Sequence, residues 1–307
     1  MSFIDVVGIV ARLAQFAGAA VLGGGSLFFL YGVTPDARAN WPAGLLRIAA
    51  GVGAIGTLGW LMAQSAQMGD GPADALNAAK VWSIGIDTSF GRAAFARLIM
   101  FLLAWIVSIS AWRGRGLWWA LAGLGAGISA SFAWTGHGAR DEGLAGAVHL
   151  TSDILHLLAA STWIGALAVL AVLASIAGRP RAVSGAGQDA LEGLVRFSAI
   201  GVGVVGVLMA SGLVNSWLLV GPAGLGQLLT TLYGQLLVAK LALFGLMLGL
   251  AAINRYRLTP QLERALKDED ASPFAPVVRS ILIETAIAIV VLAVVSWLGT
   301  LSPPIDG

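Results

Sequence analysis

Eight runs of about twenty apolar residues, separated by short polar breaks, set the limits on what this chain can become. They cover residues 6–31, 45–66, 93–112, 117–135, 148–177, 194–220, 233–253 and 280–301. A helix needs roughly twenty such residues to cross hydrocarbon, and only structures that satisfy their own backbone survive there. The breaks carry turn chemistry: Thr34-Pro35-Asp36, Gly69-Asp70-Gly71-Pro72, the tight Arg113–Gly116 turn, Gly178-Arg179-Pro180, Gly221-Pro222 and Ser302-Pro303-Pro304. The expectation is an all-α, polytopic membrane bundle of about eight transmembrane helices, one integral domain over residues 1–307. Composition agrees: 58% of residues are hydrophobic and 11% charged, against about 25% charged in soluble domains.

Basic residues orient the bundle. Arg38 and Arg47, Arg113 and Arg115, Arg179, Arg181 and Arg196, and Arg255, Arg257, Arg264, Lys267 and Arg279 fall in the odd-numbered loops. The even loops hold only Lys80, Arg92 and Arg140. By the positive-inside rule the odd loops are cytoplasmic and both termini face outward. The net charge of +2 then reflects loops facing anionic lipid, and no basic helix suited to nucleic acid is present. The first run lacks a basic leader and is too long for a signal core, so an uncleaved span is expected. Glycines inside spans (Gly51, Gly53, Gly56 and Gly59; Gly123 and Gly127; Gly245 and Gly249) read as close helix packing.

Against this apolar background the three histidines stand together. His137, His149 and His156 lie beside Asp141, Glu142 and Asp153, on the side the basic count places outside. Ionisable groups in a bilayer are costly and tend to line functional paths. His149, Asp153 and His156 are spaced i, i+4, i+7 and share one face of the fifth span. About 10 Å of rise separates the two histidines. One ion fits His149 with Asp153, or Asp153 with His156, but hardly all three. A two-position relay follows, or an ion site whose carboxylate fixes a histidine tautomer. His137 lies across a short loop from the same face. The competing reading makes these histidines helix caps or partners of backbone carbonyls.

With no cysteine in the chain, soft-metal chemistry falls to Met and His. Met62 and Met68 end the second span, near Gln64, Gln67 and Asp70, and thioether sulfur suits Cu(I); core filling is the commoner use of such residues. Arg12, Arg97, Lys240 and Glu284 are further ionisable groups within the spans. Two pairings suggest themselves: Lys240 with Glu284, or Arg12 with Asp153, the second being closer in depth. No nucleophile elbow, phosphate loop or zincin motif supports enzyme chemistry, and no ATP motif supports a pump.

The run His149-Leu-Thr-Ser-Asp153-Ile-Leu-His156-Leu-Leu-Ala-Ala-Ser-Thr-Trp163-Ile-Gly165 resembles the signature of the CopD family of bacterial copper-resistance membrane proteins. So do Thr135-Gly136-His137, Ser211-Gly212 through Asn215, Tyr233-Gly234 through Lys240, Asn254-Arg255, Glu284 and the closing Leu298 to Pro304. The resemblance covers residues 137–304; the first four spans match mainly in hydropathy. It implies an inner-membrane protein of about eight spans that moves copper ions inward from the periplasm, often beside a separate periplasmic CopC-like carrier; with the basic count above, both termini are then periplasmic. His137, His149, Asp153 and His156 are the expected copper ligands. Met62, Met68, Asn215, Lys240 and Glu284 are secondary ligand or path candidates. Two alternatives stand: a haem-binding membrane oxidoreductase or electron carrier, since paired histidines also ligate haem iron, and a non-transporting assembly factor for copper enzymes.

Overall fold

A computed structural model of the chain describes residues 1–34, 39–110, 112–135, 143–177, 186–261, 264 and 274–303. Among these residues every regular element is helical. Eight helices are long and apolar enough to cross a membrane: α1 (Phe3–Tyr31), α2 (Trp41–Met68), α4 (Ser89–Ile109), α5 (Arg115–Ser131), α6 (Gly143–Ala177), α7 (Ala186–Leu219), α8 (Leu232–Ile253) and α9 (Phe274–Leu298). The expected spans are all present, most extended by a few residues where caps or first-turn polar groups carry the helix beyond its apolar run. Ser2 and Asp5 form a reciprocal capping box on α1.

One element was not expected from the polar break after α2. Residues Ala78–Asp87 form a short helix, α3, capped by the Asn77 side chain. Ten residues cannot span a bilayer, yet Trp82 and Ile86 are exposed on it while Gly85 is buried. That suits a helix lying at a membrane surface. A 3-10 turn, Pro72–Leu76, precedes it. Lys80 Nζ reaches Asp74 at 2.6 Å and Asp70 at 3.1 Å.

α1 is the hub. It packs on α2, α5, α6 and α9, while α6 packs on α1, α5, α7 and α9. Small residues make this approach possible. A Cβ on Gly24 would collide with the Ser161 carbonyl oxygen of α6, and one on Gly18 would come within 2.6 Å of the Ala49 carbonyl oxygen of α2. The glycine reading is therefore right for Gly53 and Gly56, which face Phe101 and α1. It is corrected for Gly123, Gly245 and Gly249, which have nothing within 4 Å. Sequence spacing shows that small residues share a face, not which face meets a neighbour.

The outer faces of the helices are apolar, with Ile55, Ile99, Leu213 and Leu246 exposed, as lipid contact requires. Both termini lie at one end of the bundle. Gln67, at the end of α2, donates to Asp5 at the start of α1 at 3.1 Å, and Arg12 lies against Gly299. This is the terminal end below. α8 packs on α9 and makes no extensive contact with α7 among the described residues. The seam between α7 and α8 is open, and that opening holds the polar chemistry.

Candidate functional site

The face of α6 predicted from the histidine spacing meets α7. Asn215 Nδ2 donates to Asp153 Oδ1 at 2.7 Å. Ser152 Oγ donates to the Ser211 carbonyl at 3.0 Å. His156 Nδ1 lies 3.0 Å from Ser211 Oγ. These contacts run in antiparallel register, so α7 supplies one polar group per turn to match the ladder on α6.

The network bears on the tautomer of His156. Ser211 Oγ donates its proton to the Val207 carbonyl at 2.6 Å, so it can only accept from the ring. The tautomer that fits this donation carries its proton on Nδ1 and leaves the Nε2 lone pair for another partner. The ring also lies within hydrogen-bonding reach of the Leu208 carbonyl, and His156 lines a cavity of about 840 Å³ between α6, α7, α8 and α9.

That cavity is apolar apart from a few groups, among them His156, Ser216 and Lys240. Lys240 lies eight residues into α8, about 12 Å from its start. It is close enough to Asp153 and His156 to act on both electrostatically, but makes no ion pair within 4.0 Å and no hydrogen bond among the described residues. Asn215 Oδ1 is buried without a partner. His149 is 1% exposed, one turn from Asp153 and within its electrostatic reach. Three parts of the expected site, His149, Asp153 and His156, thus stand in one column with Asn215 and Lys240 against it. His137, with Asp141 and Glu142, lies outside the described residues. Among those described, no three His, Asp or Glu side chains close around a single point, in keeping with a ladder spread over two turns.

Glu284 sits elsewhere. It is 2% exposed on α9 and accepts from Trp163 Nε1 and from Asn254 Nδ2, each at 3.0 Å. A second cavity of about 200 Å³ runs beside it, lined by Trp163, Asn254 and Arg255 among others. Trp163 and Leu248 border both cavities, so they form the waist of one seam.

Neither proposed charge pair is formed. Glu284 takes neutral donors instead of Lys240, and the groups acting on Asp153 are His149 and Lys240, not Arg12. Depth alone could not decide this, because azimuth matters as much. Arg12 is twelve residues from Gly24, about 120° around α1 from the face that meets α6. It lies by Gly299 and near Arg97. Arg97 is held by neutral groups: Gln15 Oε1 at 2.7 Å, Ser131 Oγ at 2.9 Å, and the Phe132 ring face at 3.8 Å. Met68 is exposed at the terminal end and Met62 is half-buried. Both are on α2, which packs on α1 and α4, away from the ladder.

Sequence reasoning gave no role to Trp163, Ser211 or Asn254. Trp163 was findable, since it follows His156 by seven residues on the same face. Ser211 and Asn254 matter only through α6 and α9, and nothing local announces that.

The comparisons bear on the whole length. The family described as Copper resistance protein D matches residues 192–298. The family described as Copper resistance protein D-like, N-terminal domain, matches residues 3–147. Inner membrane protein YebZ of Escherichia coli (strain K12) is 34% identical over 252 residues, 81% of each chain. The chain belongs to the copper resistance protein D family. Copper resistance protein D of Pseudomonas syringae pv. tomato is 41% identical over 186 residues, 60% of this chain and 58% of that protein. Copper transport protein CutJ of Bacillus subtilis (strain 168) is 35% identical over 147 residues, 47% of this chain and 26% of that one. The match thus spans little more than half of the first of these two and about a quarter of the second. No solved structure matches the chain. As a member of the copper resistance protein D family with eight spans, the chain is a multi-pass inner-membrane protein. The first four spans, read above from hydropathy, belong to the family in their own right.

Proposed function

We propose that this protein handles copper, receiving the ion at the terminal end of the bundle and passing it inward along the α7–α8 seam. The observation that carries this is His156, held at Nδ1 by Ser211 and standing in the wall of the cavity with Asp153 one turn away. A neutral imidazole with its other nitrogen held by a partner is how proteins present histidine to a metal. His149 and the Asp153 carboxylate stand above it on the same face, and Asn215 Oδ1 is a buried acceptor without a donor. Imidazole suits copper among the first-row ions. The names of the Pseudomonas and Bacillus relatives agree with this cargo.

Lys240 gives the site its charge balance. A lone buried carboxylate is costly, and the Lys240 ammonium offsets Asp153 while no ion is held. With the odd loops cytoplasmic, the terminal end is periplasmic, and a separate CopC-like carrier is the natural donor. Lacking an ATP motif, transport follows the copper gradient or that of another ion. A haem bridging two helices would need a second histidine off α6, and the described residues carry histidine on α6 alone.

The test is copper binding by the purified protein together with copper uptake into vesicles carrying it. The double variant His149→Ala with His156→Ala should lose both while remaining folded. Full binding and flux in that variant would remove the site from consideration. A strong visible haem band in the purified protein would favour the oxidoreductase reading instead.

A further inference from the structure

Three buried oxygens without a hydrogen-bond partner lie on the two helices that carry Glu284 and its donor Asn254: Asn254 Oδ1, Thr259 Oγ1 and Ser280 Oγ. Their residues are 4%, 6% and 7% exposed. Asn254 is bonded to Glu284 through its Nδ2. Ser280 is one helical turn before Glu284 and so on the same face of α9. Thr259 is tied to Asn254 by a π turn over Asn254–Leu258, in which the Thr259 N–H reaches the Asn254 carbonyl five residues back. Such insertions mark functional positions in many helices.

The unpartnered hydroxyls are unlike others in this protein. Thr162, Ser211, Thr285 and Ser296 each donate to the carbonyl four residues back, at 2.6 to 2.8 Å. Ser280 and Thr259 do not, although both are buried and apolar surroundings make a missing bond costly. Three buried oxygens without a partner thus lie within five residues of one or the other member of the Glu284–Asn254 pair.

We propose that Glu284, Asn254, Thr259 and Ser280 form a binding site for a hard monovalent cation of the sodium class. Every ligating atom is oxygen, which suits hard ions and not copper. One carboxylate with three neutral oxygens balances one positive charge; a divalent ion of the calcium or magnesium kind draws on more carboxylates or on waters. Arg255 is the other charged group lining the adjacent 200 Å³ cavity, and its guanidinium is engaged by the Ser198 carbonyl. Placed beyond the Trp163 waist from the histidine ladder, the site would hold a second ion while the first is carried.

The test uses the full chain, purified without copper in lipid nanodiscs, with its unfolding midpoint followed in sodium, potassium or choline chloride at constant ionic strength. Sodium should raise the midpoint to a plateau, by about 5 °C at a hundredfold excess over its dissociation constant, and choline should not. Ser280→Ala, alone and with Thr259→Val, should shrink that shift while leaving Glu284 and its two donors in place. Equal midpoints in all three salts would overturn the site. A larger shift with potassium would overturn the sodium class, and an unchanged sodium shift in the double variant would overturn the location. Because copper is absent throughout, the outcome is independent of the copper reading.

Discussion

Asp153 on α6 and Glu284 on α9 are held in the same way. Each receives the Nδ2 of an asparagine from a neighbouring helix, Asn215 at 2.7 Å and Asn254 at 3.0 Å, and each asparagine keeps a buried Oδ1 without a partner. The surroundings differ. Asp153 has histidine above and below it and Lys240 beside it; Glu284 has Trp163 and hydroxyl groups. One scheme thus holds two buried carboxylates in different surroundings.

Ser211 should matter for copper without matching any ligand. Ser211→Ala removes the acceptor that keeps the His156 proton on Nδ1. Copper affinity should fall by about 10- to 100-fold, the usual effect of losing such a support, with unchanged helicity. Titration of the purified variant with copper measures it, and wild-type affinity would mean the tautomer is set by something else.

Two glycine substitutions should part sharply. Gly24→Ala drives a methyl group into the Ser161 backbone of α6, so it should destabilise the bundle by about 1–3 kcal/mol or more. Gly245→Ala meets nothing within 4 Å and should be neutral or slightly stabilising, as a helix gains from exchanging glycine for alanine. Thermal unfolding of both in one detergent compares them directly.

Arg97 is structural. Its guanidinium joins α1, α4 and α5 through Gln15, Ser131 and Phe132. Arg97→Met should cost about 3 kcal/mol, because hydrogen bonds to a charge are among the stronger ones and their acceptors stay buried. Copper affinity, measured below the unfolding transition, should be retained.

Acid should loosen the segment between α2 and α4. The Lys80 ammonium and then the Asp70 backbone N–H hold the Asp74 carboxyl below its usual range. A depressed folded value means the contribution is present above the unfolded carboxylate value and is lost as pH falls through the folded one. The protection of α3 amides, after correction for the intrinsic pH dependence of exchange, should therefore be flat at neutral pH and fall only in strong acid. Asp74→Asn should show the faster exchange already at neutral pH.

Reporter fusions test the orientation. At Arg181 and Arg264 they should score cytoplasmic, and at the C-terminus periplasmic. A cytoplasmic C-terminus would put the histidine ladder at the wrong face.

The number and order of spans were legible because lipid imposes one rule on every crossing segment: twenty apolar residues that close their own hydrogen bonds. The ladder was legible for a related reason, since His149, Asp153 and His156 lie on one helix and helical period alone aligns them. α3 was not, because ten amphipathic residues lack the length that made the spans visible. The charge pairings failed for Arg12 and Lys240 because depth along a helix can be counted, while the direction a side chain faces depends on which neighbour the helix packs against. Periodicity along the chain yields an eight-span membrane bundle with a polar column on its fifth span. Packing between helices adds that Ser211 meets His156 Nδ1, that Asn215 and Lys240 join Asp153, and that Glu284 belongs to Trp163 and Asn254. Those contacts join residues 30 to 121 positions apart, and they exist because glycine-lined helices meet at particular faces, which no periodicity within one helix encodes.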